Sequence, residues 1–88
     1  MSFHIDFSQQ AVNDIESHKK TGNKAVLRKL LKILNELSEH PIEGTGKPER
    51  LKYNYSGLWS RRINSEHRLV YDVQKNKIIV LSAKGHYQ

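Results

Sequence analysis

Residues Leu58 to Ala83 read LWSRRINSEHRLVYDVQKNKIIVLSA, and this run decides the fold. Three segments in it, Leu58 to Ile63, Arg68 to Val73 and Lys77 to Ala83, carry β-branched and aromatic residues at strand-like density. Asn64-Ser-Glu66 and Lys75-Asn76 separate them with residues that favour tight turns. Strand-like runs joined this closely predict a three-stranded antiparallel meander. Alternation then sorts the side chains. Ser60 and Arg62 share one face of the first strand, with Trp59, Arg61 and Ile63 on the other. On the next strand Arg68, Val70 and Asp72 oppose Leu69, Tyr71 and Val73. If one sheet face packs on helices, the other displays guanidinium groups on a rigid surface, and arginine forks match phosphate oxygens well.

Upstream of the meander, Phe3, Ile5 and Phe7 alternate with His4 and Asp6, which predicts a short opening strand. Ser8 is placed to cap a helix whose apolar stripe is Ala11, Val12 and Ile15. Thr21-Gly-Asn23 interrupts, and Asn23 caps a second helix in which Leu27, Leu30, Leu31, Leu34 and Leu37 recur at helical spacing. Lys24, Arg28 and Lys32 form a basic stripe on another face, for which solvation is the plainer reading than contact with RNA or a partner. The helix has to stop near Glu39-His40, because the residue before Pro41 is pushed out of the helical region. From Ile42 to Gly57 the chain is rich in glycine and charge and reads as an ordered loop with a short turn of helix. The element order, strand, two helices, meander, implies an α+β architecture with helices on one face of a mainly antiparallel sheet. At 88 residues, positions 1–88 are expected to form one domain, since two cores would each bury too little.

Fifteen Lys and Arg against nine Asp and Glu leave a net charge of +6, which favours polyanionic partners. Composition alone does not separate that from a basic surface kept for solubility. There is no cysteine, so disulfides and thiolate metal sites are excluded. The N-terminal residues lack the pattern of a signal peptide, and the longest apolar run, Ile78 to Leu81, is far short of a membrane span. A cytoplasmic protein with no membrane partner is expected. No carboxylate cluster or histidine pair has metal-ligand spacing, Gly44-Thr-Gly-Lys47 is an incomplete phosphate loop, and neither metal nor cofactor is expected.

Between Lys47 and Arg68 the cations are Lys47, Arg50, Lys52, Arg61, Arg62 and Arg68, against Glu49 and Glu66. Tyr53, Tyr55, Trp59, Tyr71 and Tyr87 interleave with or follow them. Single-stranded RNA is commonly held by base stacking beside a phosphate-binding surface. Trp59 and Tyr71 fall on positions that favour core packing, which leaves Tyr53 and Tyr55 as candidates for exposed contact. Taken singly, each charged residue also has a plain structural role. Glu49 is then a surface ion pair, Arg68 a salt bridge to Asp72, His86-Tyr87 a packed end, and His4, His18, His40 and His67 surface or structural residues.

Three stretches tie these residues together: Gly44-Thr-Gly-Lys-Pro-Glu-Arg-Leu-Lys52, Ser56-Gly-Leu-Trp-Ser-Arg-Arg-Ile-Asn64 and Glu66-His-Arg-Leu-Val-Tyr71, with His86-Tyr87 closing the chain before Gln88. This pattern resembles the YoeB branch of the RelE toxin superfamily, whose members cleave messenger RNA at the ribosome and are neutralised by a co-expressed antitoxin. The likeness is close from Gly44 to Tyr71 and at the C-terminus; the first forty residues agree only in element order and helix pattern. The resemblance implies that Glu49 is a general base, Arg68 a transition-state arginine, His86 a general acid and Tyr87 an aromatic that positions RNA. It assigns Lys52 and Arg62, and less firmly Lys47, to phosphate binding. It also implies an mRNA substrate on the ribosome with ribosomal RNA contacts, an acidic antitoxin partner and compatibility with a homodimer. Ala83-Lys84-Gly85 and the additional Gln88 depart from the family pattern without removing a catalytic group. Two other functions fit parts of the sequence. One is a gyrase-binding toxin of the ParE kind, against which the four retained positions argue; the other is an RNA-binding module without catalysis.

Overall fold

The computed structural model describes residues 3–52 and 57–85. Strand β1 (His4–Phe7) leads directly into helix α1 (Gln9–Lys20). Ser8 makes that junction: its Oγ accepts the Ala11 amide at 3.1 Å, satisfying one free donor of the first turn, and its hydroxyl donates to Leu81 O at 2.8 Å. Helix α2 (Lys24–Leu37) starts in the same way, with Asn23 Oδ1 accepting from the Val26 amide. Both caps are where the sequence places them.

The buried stripe of α2 is Val26, Leu30, Ile33 and Leu37, spaced four, three and four residues apart. Leu27 and Leu34 flank it, whereas Leu31, expected on the apolar face, is 60% exposed. It lies about 100° around the axis from Leu30, beyond the edge of the stripe. In α1 the inner face is Ala11, Asp14, Ile15 and His18, and Val12 points outward. Two polar residues thus hold positions that the sequence reading had not given them.

Three further strands follow as expected: β3 (Leu58–Arg62), β4 (Arg68–Val73) and β5 (Lys77–Ser82), with β2 (Glu49–Arg50) preceding them in the chain. The sheet order is β1-β5-β4-β3-β2, antiparallel except for β1, which runs parallel to β5. Among the described residues between Ile42 and Gly57 the regular element is strand β2, with no helix; the rest of the stretch in which a helical turn is expected lies outside the described residues. Glu49 pairs with Ser60 and Arg50 with Trp59, and the Leu51 amide donates to Leu58 O at 2.9 Å.

Ile63, Leu69, Tyr71, Ile78, Val80 and Ala83 from the sheet side pack with Ala11, Val26, Leu30, Ile33 and Leu37 of the helices. The architecture is α+β, with the helices on one face of the sheet. A bulge reshapes the end of β5, because Tyr71 faces Val80 while Val70 faces Ser82, which makes Leu81 the extra residue. The strand therefore swaps faces. Ser82 joins Val70 on the far side of the sheet, and its buried hydroxyl has no hydrogen-bond partner among the described residues. No described helix is long and apolar enough to cross a membrane.

Candidate active site

The sheet face away from the helices brings four chain segments together. Register sets Glu49 beside Ser60 and Arg62 beside Arg68. Arg68 Nη1 donates to Glu49 Oε1 at 3.0 Å and to Ser60 Oγ at 3.1 Å. The alternative partner for Arg68, Asp72, lies opposite Leu58 at the other end of β4 and accepts from Gln74 instead. Arg68 is the more enclosed member of the pair at 18% exposure, against 58% for Glu49. An open cleft of about 270 Å³ adjoins them, lined by Arg62, Asn64, Ser65 and Arg68. A carboxylate and a guanidinium thus meet beside a cleft that two arginines line. Lys47 and Lys52 flank Glu49 in sequence and are exposed. Tyr53, Tyr55, His86 and Tyr87 lie outside the described residues.

Glu49 is placed by what precedes it. Arg61 points to the helix side and is fully buried. Its Nη1 meets Glu36 Oε1 at 3.0 Å, Nη2 donates to the carbonyls of Glu43 and His40, and Nε donates to Tyr71 OH. Tyr71 passes the contact on to Pro41 O at 2.8 Å. Glu36 also accepts the Thr45 amide at 2.7 Å and the Thr45 hydroxyl. One buried arginine thereby fixes the course of the chain from His40 to Thr45. The Thr45 hydrogen bonds, helped by Arg61 and Lys32, hold the Glu36 carboxyl below its usual range despite its partial burial. Burial pushes the Tyr71 phenol up, against the pull of Arg61. At Gly46, with φ of 85°, a Cβ would lie 2.6 Å from Arg62 O, so only glycine lets the loop lie against β3 and accept the Arg62 amide. Trp59 is half-buried against the core, and the Arg50 guanidinium sits 5.7 Å from its ring centre.

The segment after β5 is held as firmly. Asp14 and His18, one turn apart on α1, grip both polar groups of one residue. Asp14 Oδ2 accepts the Ala83 amide at 2.9 Å, and His18 Nε2 lies 2.8 Å from Ala83 O. Lys84 Nζ donates to Ser17 Oγ, and the Arg68 amide donates to Gly85 O at 2.8 Å. The chain leaves this harness one peptide bond before His86, next to the backbone of Arg68. Sequence reasoning missed Asp14, and gave His18 only as a surface or structural residue, of which the structural role is the one it fills. The signal was their place with Ala11 and Ile15 at 11, 14, 15 and 18, a helical face on which a polar residue must find a buried partner.

Residues 7–87 match the family model described as a YoeB-like toxin of bacterial type II toxin-antitoxin systems. The chain is 46% identical over 67 residues to the toxin YoeB of Synechocystis sp., covering 76% of this chain and 78% of that protein. Among solved structures, the YoeB dimer from Staphylococcus aureus superposes with a TM-score of 0.85 at 42% identity, covering 99% of this chain and 100% of that one. A YoeB-YefM complex from the same organism gives 0.83 at 43% identity, with the same coverage.

Proposed function

The chain belongs to the YoeB-like toxins of bacterial type II toxin–antitoxin systems, and from that premise we propose that it is an endoribonuclease cutting messenger RNA at the ribosome. The observation that carries the reading is the 3.0 Å contact between Arg68 and Glu49 at the edge of a basic cleft. RNA brings its own nucleophile, the 2′-hydroxyl beside the scissile phosphate, so the enzyme has three tasks. Glu49 takes the 2′-hydroxyl proton as the 2′-oxygen attacks phosphorus. Arg68 stabilises the charge of the phosphorane; among the described residues only its Nη1 is engaged, which leaves Nε and Nη2 for phosphate oxygens. His86 protonates the 5′-oxygen as the P–O5′ bond breaks, and Tyr87 stacks on a base. The products are a 2′,3′-cyclic phosphate and a 5′-hydroxyl. No step requires a metal or a cofactor.

Arg62, on the cleft wall, is placed for a neighbouring phosphate. Lys47, Lys52, Tyr53 and Tyr55 extend the RNA surface. The protein works in the cytoplasm on ribosome-bound message, with contacts to ribosomal RNA. Its antitoxin is an acidic protein that covers this face, since a chain of net charge +6 otherwise binds nucleic acid indiscriminately. A homodimer and an antitoxin complex accord with the two assemblies solved for the S. aureus relative. The test is incubation of purified protein with ribosomes carrying a defined message, beside a gyrase supercoiling assay. Cut message and unaffected gyrase support the reading; gyrase inhibition with intact message replaces it with the ParE-like one, and binding without either effect leaves an RNA-binding module.

A further inference from the structure

His67 sits between the turn before β4 and the segment that leads to His86. The Asn64 side chain accepts its amide at 2.8 Å, and its own carbonyl accepts the amide of Ile63. This backbone is fixed, so the ring has a set direction. Its Nδ1 lies 3.0 Å from the Gly85 amide, which can only donate, so Nδ1 must carry a free lone pair. The ring is half-buried and packs edge-on against His18, with centroids 4.7 Å apart. His18 is itself held by Ala83 O two residues before Gly85. The next residue in the chain, Arg68, binds Gly85 O through its amide and Glu49 through its side chain. One dipeptide, His67-Arg68, therefore holds both polar groups of Gly85 and one half of the catalytic pair.

We propose that His67 is a positioning residue, a clamp that fixes the Gly85 amide and with it the point from which the chain continues to His86, and that protonation of its ring opens the clamp. The proposal rests on the ribonuclease reading above. An imidazolium has no lone pair at Nδ1, so the protonated ring and the Gly85 amide present two donors to each other. The charged groups around the ring are His18 and Asp14 of α1, Glu66 beside it and Lys84 of the final segment. Burial foremost, then His18 and Lys84, hold the His67 ring below the ordinary histidine value of 6.5, against the opposing pull of Glu66 and Asp14. The clamp is thus closed at neutral pH and opens as pH falls below the ordinary histidine range.

Two substitutions separate the hydrogen bond from its titration. His67→Asn puts an amide oxygen near the position of Nδ1 and does not titrate, whereas His67→Leu keeps bulk and removes the acceptor. In the full chain, the Gly85 amide resonance is followed by nitrogen–proton NMR from neutral pH downward, beside kcat and KM for cleavage of a defined ribosome-bound message. The wild-type amide is expected to titrate with a midpoint below 6.5, and kcat to show the same inflection. In His67→Asn the Gly85 amide loses this inflection and the kcat profile keeps only the limbs set by the general base and general acid, while neutral-pH kcat stays close to wild type. His67→Leu loses about tenfold in kcat, the size of one neutral hydrogen bond, with KM and cooperative unfolding little changed. A wild-type Gly85 amide that does not titrate overturns the clamp. So does a Gly85 amide inflection that persists unchanged in His67→Asn. Wild-type kcat in His67→Leu overturns the positioning role. If the wild type cuts no message, the ribonuclease reading fails and the catalytic role with it, while the Gly85 titration still decides whether the clamp exists.

Discussion

Arg68 and Glu49, nineteen residues apart in sequence, meet at 3.0 Å because β2 and β4 flank β3, and Ser60 of β3 shares the same guanidinium nitrogen. Three strands therefore set one ion pair. Strand-borne groups keep their geometry better than loop-borne ones, which suits the proposed role of the pair in receiving a phosphate in a defined orientation.

Arg68→Lys is expected to lower cleavage by about 10²–10³-fold, the usual cost of removing an electrostatic donor to a transition state. Lysine keeps the charge but cannot reach Glu49, Ser60 and a phosphate together as a planar fork does. Circular dichroism and thermal unfolding should stay near wild type. Turnover like that of the wild type would reduce the role of Arg68 to bulk charge.

Arg61→Ala is expected to destabilise the domain by about 3–5 kcal/mol, since it leaves Glu36 and several backbone carbonyls without their buried partner. Urea unfolding measures this directly. A loss under 1 kcal/mol would mean that water replaces the guanidinium at little cost.

Glu36 gives the stability a defined dependence on pH. Its folded pKa lies below 4.5, so the unfolded chain binds the proton more readily. The contribution is complete above 4.5 and disappears as pH falls through the lower, folded value. Glu36→Gln should flatten that part of the acid limb in a pH series of unfolding curves. An unchanged limb would assign the acid sensitivity to other groups.

Ser82→Ala should leave stability unchanged or raise it by up to about 1 kcal/mol, because it removes a buried hydroxyl that has no partner among the described residues. A loss above that size, read from the unfolding midpoint, would show that the hydroxyl is satisfied in solution.

The meander, both helix caps and the shared face of Ser60, Arg62 and Arg68 were legible in the sequence, because each depends on neighbours within a few residues. What was hidden depends on distant partners. Asp14 and His18 find theirs in the backbone of Ala83, 69 and 65 residues away, and nothing local marks that peptide as their target. Arg61 counts as one more cation until Glu36, 25 positions upstream, neutralises it inside the protein. Strand β2 spans two residues and has no periodicity of its own; it exists because Arg61 and Glu36 lead the preceding loop to the edge of β3. Of the candidate site, Glu49 and Arg68 could be singled out by type, but only the register of three strands shows that they touch.

The central claim is that the substrate supplies the nucleophile and the Glu49–Arg68 pair activates it. A message carrying a single 2′-deoxy nucleotide at the mapped cut site, on ribosomes and beside its all-RNA counterpart, tests this most directly. The all-RNA message is expected to yield a 2′,3′-cyclic phosphate and a 5′-hydroxyl, and the substituted message to survive at that position. Equal cutting of both messages, or a 3′-hydroxyl with a 5′-phosphate, would contradict it.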